Sequence, residues 1–261
     1  MQRSLACVAV VLAAVTVAAQ DNYQFTDPNV QDLFRYARMA IGGGVSKVKA
    51  VEMRGRSKVD MNGTLIDCGV DIKILMPDSY LRIDATATDA KLAGFSGKKL
   101  LSAIRSADGK LQTPPDNLAD TILKNERARL ARLLLGAATY VTPDVALRFS
   151  SAGLGGGAID PRSSGRTAAS ASGQAEPNGA DVSGPNGFRA RLIIGASSRM
   201  PEKLTYPGNP EETMTFEDRR DVSGLKLPFS ITTTAGGRVI DALVFDEIIV
   251  NPAIAKDDFK R

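Results

Sequence analysis

The chain has 261 residues, with 33 Lys and Arg against 29 Asp and Glu, a formal net charge of +4. It contains no His and only two Cys, which excludes a Ser-His-Asp triad, a Cys-His pair, a His-containing zinc site and a thiolate metal cluster. The cations are scattered, with no basic tract interleaved with aromatics, so no nucleic-acid partner is expected.

Residues 1–19, MQRSLACVAVVLAAVTVAA, place Arg3 ahead of an apolar run and end in small residues at Val17, Ala18 and Ala19. That is the pattern of a secretory signal peptide, and it predicts a secreted mature chain starting near Gln20. Cys7 then leaves with the signal segment. Cys68 remains alone, so no internal disulfide forms and a packed core must hold the fold. Residues 20–261 read as a single domain.

Residues 27–41 predict a helix: Asp27 can cap, Pro28 suits the first helical position and Gly42 follows the end. Val30, Leu33, Phe34, Ala37 and Ile41 form its apolar stripe. The period then changes to two. Over 51–61, Val51, Met53, Gly55, Ser57, Val59 and Met61 alternate with Glu52, Arg54, Arg56, Lys58 and Asp60, a strand with one wet face. Asn62 and Gly63 signal a hairpin turn. Ile66, Cys68, Val70, Ile72 and Ile74 give the next apolar face, opposite Asp67, Asp71 and Lys73. After the turn at Pro77 and Asp78, Leu81, Ile83 and Ala85 alternate with Tyr80, Arg82 and Asp84. Two short strands follow around Ser96 and Gly97, completing an antiparallel meander.

A second helix is predicted over 116–138, with Leu118, Ile122, Leu130, Leu133, Leu134 and Ala137 near one face and Arg127, Arg129 and Arg132 away from it. Residues 144–151 return to strand character. Residues 152–187 are rich in Gly, Ser, Ala and Pro and predict a disordered insertion. It interrupts a sheet, because strands resume after it at 188–197 and 202–206. A last meander over 215–251 supplies Phe216, Leu225, Leu227, Phe229, Ile231, Val239, Leu243, Phe245, Ile248 and Val250.

Chemical motifs are sparse. Ser96 and Lys99 stand at S-x-x-K spacing, but Gly97 places them at a hairpin turn, and the S-D-N and K-T-G partners of that spacing are missing. The GLGGG run at 153–157 lacks the following G-K-S/T of a phosphate loop. Asp218, Asp221, Asp246 and Glu247 lack calcium-loop spacing and read as a solvated sheet face. Cys68 reads as a small core residue, whereas Met53 and Met61 suit either a core or an adaptable pocket. No cofactor and no metal is expected.

Several stretches together resemble the LolA/LolB-like periplasmic lipoprotein-carrier superfamily. They are AIGGGVSKVKAVEMRGR and MPDSYLRID in the N-terminal half, and FEDRRDVSGLKLPFSI and EIIVNPAIAKDDF in the C-terminal half. The last carries Asn251 and, eight residues on, Phe259. The resemblance covers most of 28–152 and 188–260. It implies a mainly β, α+β fold: a curved antiparallel half-barrel covered by an N-terminal helix and a mid-chain lid helix, holding acyl chains between sheet and lid. It also implies an early-strand arginine that holds the lid shut, with Arg54 and Arg56 as the candidates.

The expected function is therefore a non-enzymatic, monomeric carrier for lipid or lipoprotein acyl chains, with membrane transfer proteins as further partners. The sheet lining expected is Val51, Met53, Val59, Met61, Val70, Ile72, Ile74, Leu81, Ile83, Leu227, Phe229, Leu243 and Phe245. Leu118, Ile122 and Leu130 are the lid contributors, from the helix over 116–138. The alternatives are a periplasmic sensor or regulatory interaction protein on the same scaffold, its groove packed shut, and a hydrolase using Ser96 and Lys99.

Overall fold

The computed structural model describes residues 23–61, 63–141, 147–152 and 178–259. In chain order the elements are β1 (Tyr23–Phe25), α1 (Pro28–Ile41), β2 (Ala50–Met61), β3 (Thr64–Leu75), β4 (Ser79–Ala85), β5 (Asp89–Ser96), β6 (Lys99–Leu100), β7 (Ala103–Ser106), β8 (Leu111–Gln112) and α2 (Asp116–Ala138). There follow β9 (Leu147–Ser151), β10 (Gly179–Ser183), β11 (Arg189–Ile194), β12 (Pro201–Tyr206), β13 (Glu212–Val222), β14 (Leu225–Ala235) and β15 (Arg238–Val250). All the strands belong to one open sheet in the order β1-β9-β10-β11-β12-β13-β14-β15-β2-β3-β4-β5-β7-β8, with β6 beside β5. Pairing is antiparallel except for β1, which runs parallel to β9. Two meanders thus meet at one seam, β15 against β2.

The sheet is strongly curved, and α2 proves it. The strands β5 and β12 lie seven strand spacings apart in the sheet, about 33 Å if it were flat. Yet Arg127 of α2 reaches the carbonyl of Gly97 beside β5, while Gly136 lies on Phe216 of β13 and α2 also packs on β12. Residues 127 and 136 are only about 13 Å apart along a helix. Bulges help the bending: the β15–β2 register shifts between Phe245 and Glu247, and a Cβ on the facing Gly55 would stand 2.1 Å from the Val244 carbonyl oxygen.

Helix α1 begins as its sequence predicts. The Asp27 side chain accepts from Asn29 N at 2.8 Å, Pro28 opens the helix, and Val30, Phe34, Ala37 and Ile41 are buried. Phe34 packs edge-on against Phe149 of β9 at 4.5 Å. Its end is a close approach. Gly42 has φ 128°, and a Cβ there would lie 2.1 Å from the carbonyl oxygen of Gly224 in the β13–β14 turn.

Helix α2 is asymmetric. Its C-terminal half buries Leu130, Leu133, Leu134 and Leu135 against the concave face, whereas Leu118 near its start is 46% exposed. Arg219 of β13 anchors the buried end, donating to the carbonyls of Gly136 at 3.2 Å and Ala137 at 2.9 Å, which lack partners within the helix. The same guanidinium donates to Pro201 O at 2.6 Å, and burial pulls its pKa down to about 10.

One large core lies between the helices and the concave face. A second, smaller core lies on the other face, where Phe259 covers Leu81, Leu92 and Leu101. Asn251, at the end of β15, accepts from Lys49 N at 2.7 Å and so ties this C-terminal excursion to the start of β2.

The expected insertion is shorter than its composition suggested. Gly179–Ser183 form β10, paired with both β9 and β11, because Ala180 and Val182 supply a buried face. Residues 153–177, with the GLGGG run, lie outside the described residues, as do the signal segment and Asn62 of the hairpin signal. Among the described residues no helix is long and apolar enough to cross a membrane.

Candidate functional site

The concave face divides into an apolar and a polar region under α2. The apolar region is nearly filled by side chains. Val51, Met53, Ile74, Leu133, Leu134, Leu227 and Ile231 surround only about 50 Å³ of open space, little more than one water. Beside it lies a cavity of about 690 Å³, open to solvent on one side. Leu133 lines both, so the two regions adjoin.

The larger cavity is mostly polar. Its sheet-side floor holds Tyr80, Arg82 and Asp84 of β4 with Asp241 of β15. Arg82 is only 4% exposed and bonds two carboxylates: Asp241 at 2.6 and 2.8 Å, and Asp84 at 2.9 Å. Burial opposes the Arg82 charge, but the Asp241 and Asp84 carboxylates outweigh it and hold its pKa well above the usual guanidinium value. Ser57 of β2 donates to Asp84 at 2.7 Å, with Cys68 buried alongside. Tyr80 is fully buried, and loss of solvent raises its phenol to about 12. On the rim, Arg238 bonds Asp60 at 2.6 Å.

The helix supplies the roof. Arg129 and Arg132 stand one turn apart and face the cavity. Arg132 lies flat on the Tyr206 ring, 3.9 Å from its centroid, and desolvation lowers its pKa. Arg129 has Glu126 at 3.6 Å; desolvation opposes its charge, but that carboxylate prevails and raises its pKa. Burial, and a hydrogen bond with Glu212, raise the Tyr206 phenol far above its usual value.

The sequence-expected residues separate accordingly. Val51, Met53, Ile74 and Leu227 line the nearly filled apolar region. Val59, Ile72 and Leu243 line the polar cavity. Val70, Leu130, Phe229 and Phe245 are buried in the main core. Ile122 is half-buried and Leu118 exposed, while the Met61 side chain lies outside the described residues.

Three expectations are corrected. Leu81 and Ile83 are not on the concave face: they pair with Lys73 and Asp71, while Tyr80, Arg82 and Asp84 pair with Ile74, Ile72 and Val70. Direct cross-strand partners share a face. Arg54 and Arg56 pair with Asp71 and Gly69, on the outer side; Arg54 bonds Glu52 at 2.6 Å and Glu247 at 3.3 Å, not the helix. The helix arginines do not point away from the sheet. Arg129 and Arg132 face the cavity, and Arg127 stacks on Phe95 at 4.9 Å and donates to Gly97 O at 2.6 Å.

The remaining motifs are structural. Ser96 and Lys99 are cross-strand neighbours in the β5–β6 hairpin, and Ser96 Oγ lies 3.0 Å from Ser79 Oγ. Asp218 pairs with Arg220 at 2.6 Å, and Asp221 accepts from Gly224 N at 3.0 Å within the turn. Among the described residues no three His, Cys, Asp or Glu side chains gather as a metal site.

No protein-family model matches the sequence, and no curated protein matches it either. Solved structures do resemble the fold. A DUF1329 family protein from Desulfovibrio piger superposes with a TM-score of 0.52 at 8% identity, covering 90% of this chain and 98% of the other. An outer membrane lipoprotein-sorting protein domain from Vibrio parahaemolyticus superposes with a TM-score of 0.50 at 10% identity, covering 89% and 97%. A LolA superfamily protein from Nitrosomonas europaea gives 0.46 at 11% identity, covering 89% and 97%. The fold is the curved, open antiparallel half-barrel that the sequence resemblance implied, and the Desulfovibrio piger and Vibrio parahaemolyticus structures share it.

Proposed function

We propose that the protein is a periplasmic, non-enzymatic carrier that takes the acyl chain of a lipid or lipoprotein between its concave face and α2. The observation that carries this reading is the filling of the apolar region by the helix itself. Only about 50 Å³ remains open there, so a chain enters by displacing the C-terminal half of α2. The energetics suit reversible loading. Burying some 14 methylene groups yields about 11 kcal/mol, while exposing Leu130, Leu133 and Leu134 costs about 4–9 kcal/mol. The difference is small enough for release. The Vibrio parahaemolyticus protein, named for lipoprotein sorting, has this fold and supports the reading by likeness of architecture alone.

Native mass spectrometry of the full chain, purified without detergent and then incubated with a fatty acid, tests it. A discrete bound mass is expected. An unchanged protein mass at saturating fatty acid would falsify the carrier function and leave α2 as a permanent core helix.

A further inference from the structure

We propose that the cavity beneath Arg129 and Arg132 binds the anionic headgroup of an amphiphile, a phosphate or carboxylate, whose chain runs on under the C-terminal half of α2. The inference rests on the carrier reading and specifies its ligand. A cavity of about 690 Å³ opens beside the apolar region, and Leu133 forms a wall of both. An amphiphile needs that adjacency: a polar chamber that Leu133 alone separates from the place where its chain is buried.

The charges in the chamber are unevenly committed. Arg82 is taken by Asp84 and Asp241, and Arg238 by Asp60. Glu212, the other carboxylate on the wall, is hydrogen-bonded with the Tyr206 phenol. On the roof, Arg129 reaches Glu126 only at 3.6 Å, beyond hydrogen-bonding distance. Arg132 rests on an aromatic face, and its Nε is buried with no acceptor. Two guanidinium groups at i and i+3 line the same cavity, and each is a planar N–H fork of the kind that carboxylates and phosphates accept in pairs. The ring of Tyr206 under Arg132 fixes one fork before a ligand arrives, which lowers the ordering cost.

The test titrates the delipidated full chain with dodecyl phosphate and with dodecyl maltoside, below their micelle concentrations, by calorimetry. Dodecyl phosphate is expected to bind at least about tenfold tighter, since charge-assisted pairs outweigh neutral ones. Arg129→Gln/Arg132→Gln is expected to erase that preference. Arg129→Lys/Arg132→Lys, which keeps the charge and the stem packing, is expected to retain part of it and guards against misfolding of the first variant. Equal binding of the two probes to the native chain, or a preference that survives Arg129→Gln/Arg132→Gln, overturns the headgroup site and leaves the carrier intact. Failure of both probes to bind overturns the carrier and the headgroup site together. Inorganic phosphate matching dodecyl phosphate in affinity overturns the amphiphile assignment in favour of a free-anion site.

Discussion

Arg82 is the residue on which the floor of the cavity depends. Its side chain is 4% exposed, and Asp84 is 7% exposed, so neither charge could stand without the other. Arg82→Ala leaves Asp84 and Asp241 facing each other with no cation between them. Removing one partner from a buried ionic cluster typically costs about 3–5 kcal/mol. The expected result is a drop of that size in the unfolding free energy measured in urea. Converting all three together, Arg82→Met with Asp84→Asn and Asp241→Asn, is expected to recover most of it, because the loss comes from uncompensated charge and not from the contact itself. If the triple variant were as unstable as the single one, Arg82 would be needed for its packing instead. Arg129 and Arg132 of α2 differ in kind. They are partly open to the cavity, and their commitments within the fold are weak, so their loss is expected to be read in ligand affinity more than in stability.

At the scale of elements, α2 is held from its middle to its C-terminal end, by Arg127 on Phe95 and Gly97 and by Arg219 at the last turn. A Cβ on Gly136 would fall 1.9 Å from the Phe216 ring, which is 3% exposed and has little room to retreat. Gly136→Ala is therefore expected to cost about 1–3 kcal/mol of overpacking, despite the better helix propensity of alanine. Calorimetric melting should show the loss, and adding Phe216→Leu should return part of it. Additive losses in the double variant would disprove the contact. Both helices and most strands were legible in the sequence, because alternation in 51–61 and 66–74 and capping at Asp27 are local signals. The concave face of β4 was not. Leu81 and Ile83 are its greasier side, but that side is covered by Phe259, 176 residues or more downstream, and no local pattern announces such a cover. The signal that was available is register: with Leu75 opposite Ser79, Tyr80 must stand opposite Ile74, and Arg82 then faces inward. The helix arginines were misplaced for a related reason. A periodic pattern shows which side of a helix is apolar, but not that the opposite flank roofs a chamber.

Across the whole molecule, Ser151 pairs with Ala180, so the chain between β9 and β10 leaves and re-enters the sheet at adjacent points. A short turn can bridge that gap. Replacing residues 153–177 with a five-residue Gly-Ser turn is expected to raise stability by about 1 kcal/mol, through the lower entropy of closing a shorter loop. A large fall in melting temperature would instead show that the segment contributes packing. The seam at the middle of the sheet has a different significance, which concerns how the chain comes to be folded. The β15–β2 pair joins residues nearly 200 positions apart: Arg54 meets Glu247 across a separation of 193. Until β15 emerges, β2 presents an unpaired, half-apolar edge, the kind of surface that recruits wrong partners. Pairing so distant in sequence folds slowly. The N-terminal half-sheet thus waits, edge exposed, for β15, and a chain that stops short of β15 keeps two half-sheets with no strand pairing between them and only α2 to bridge them.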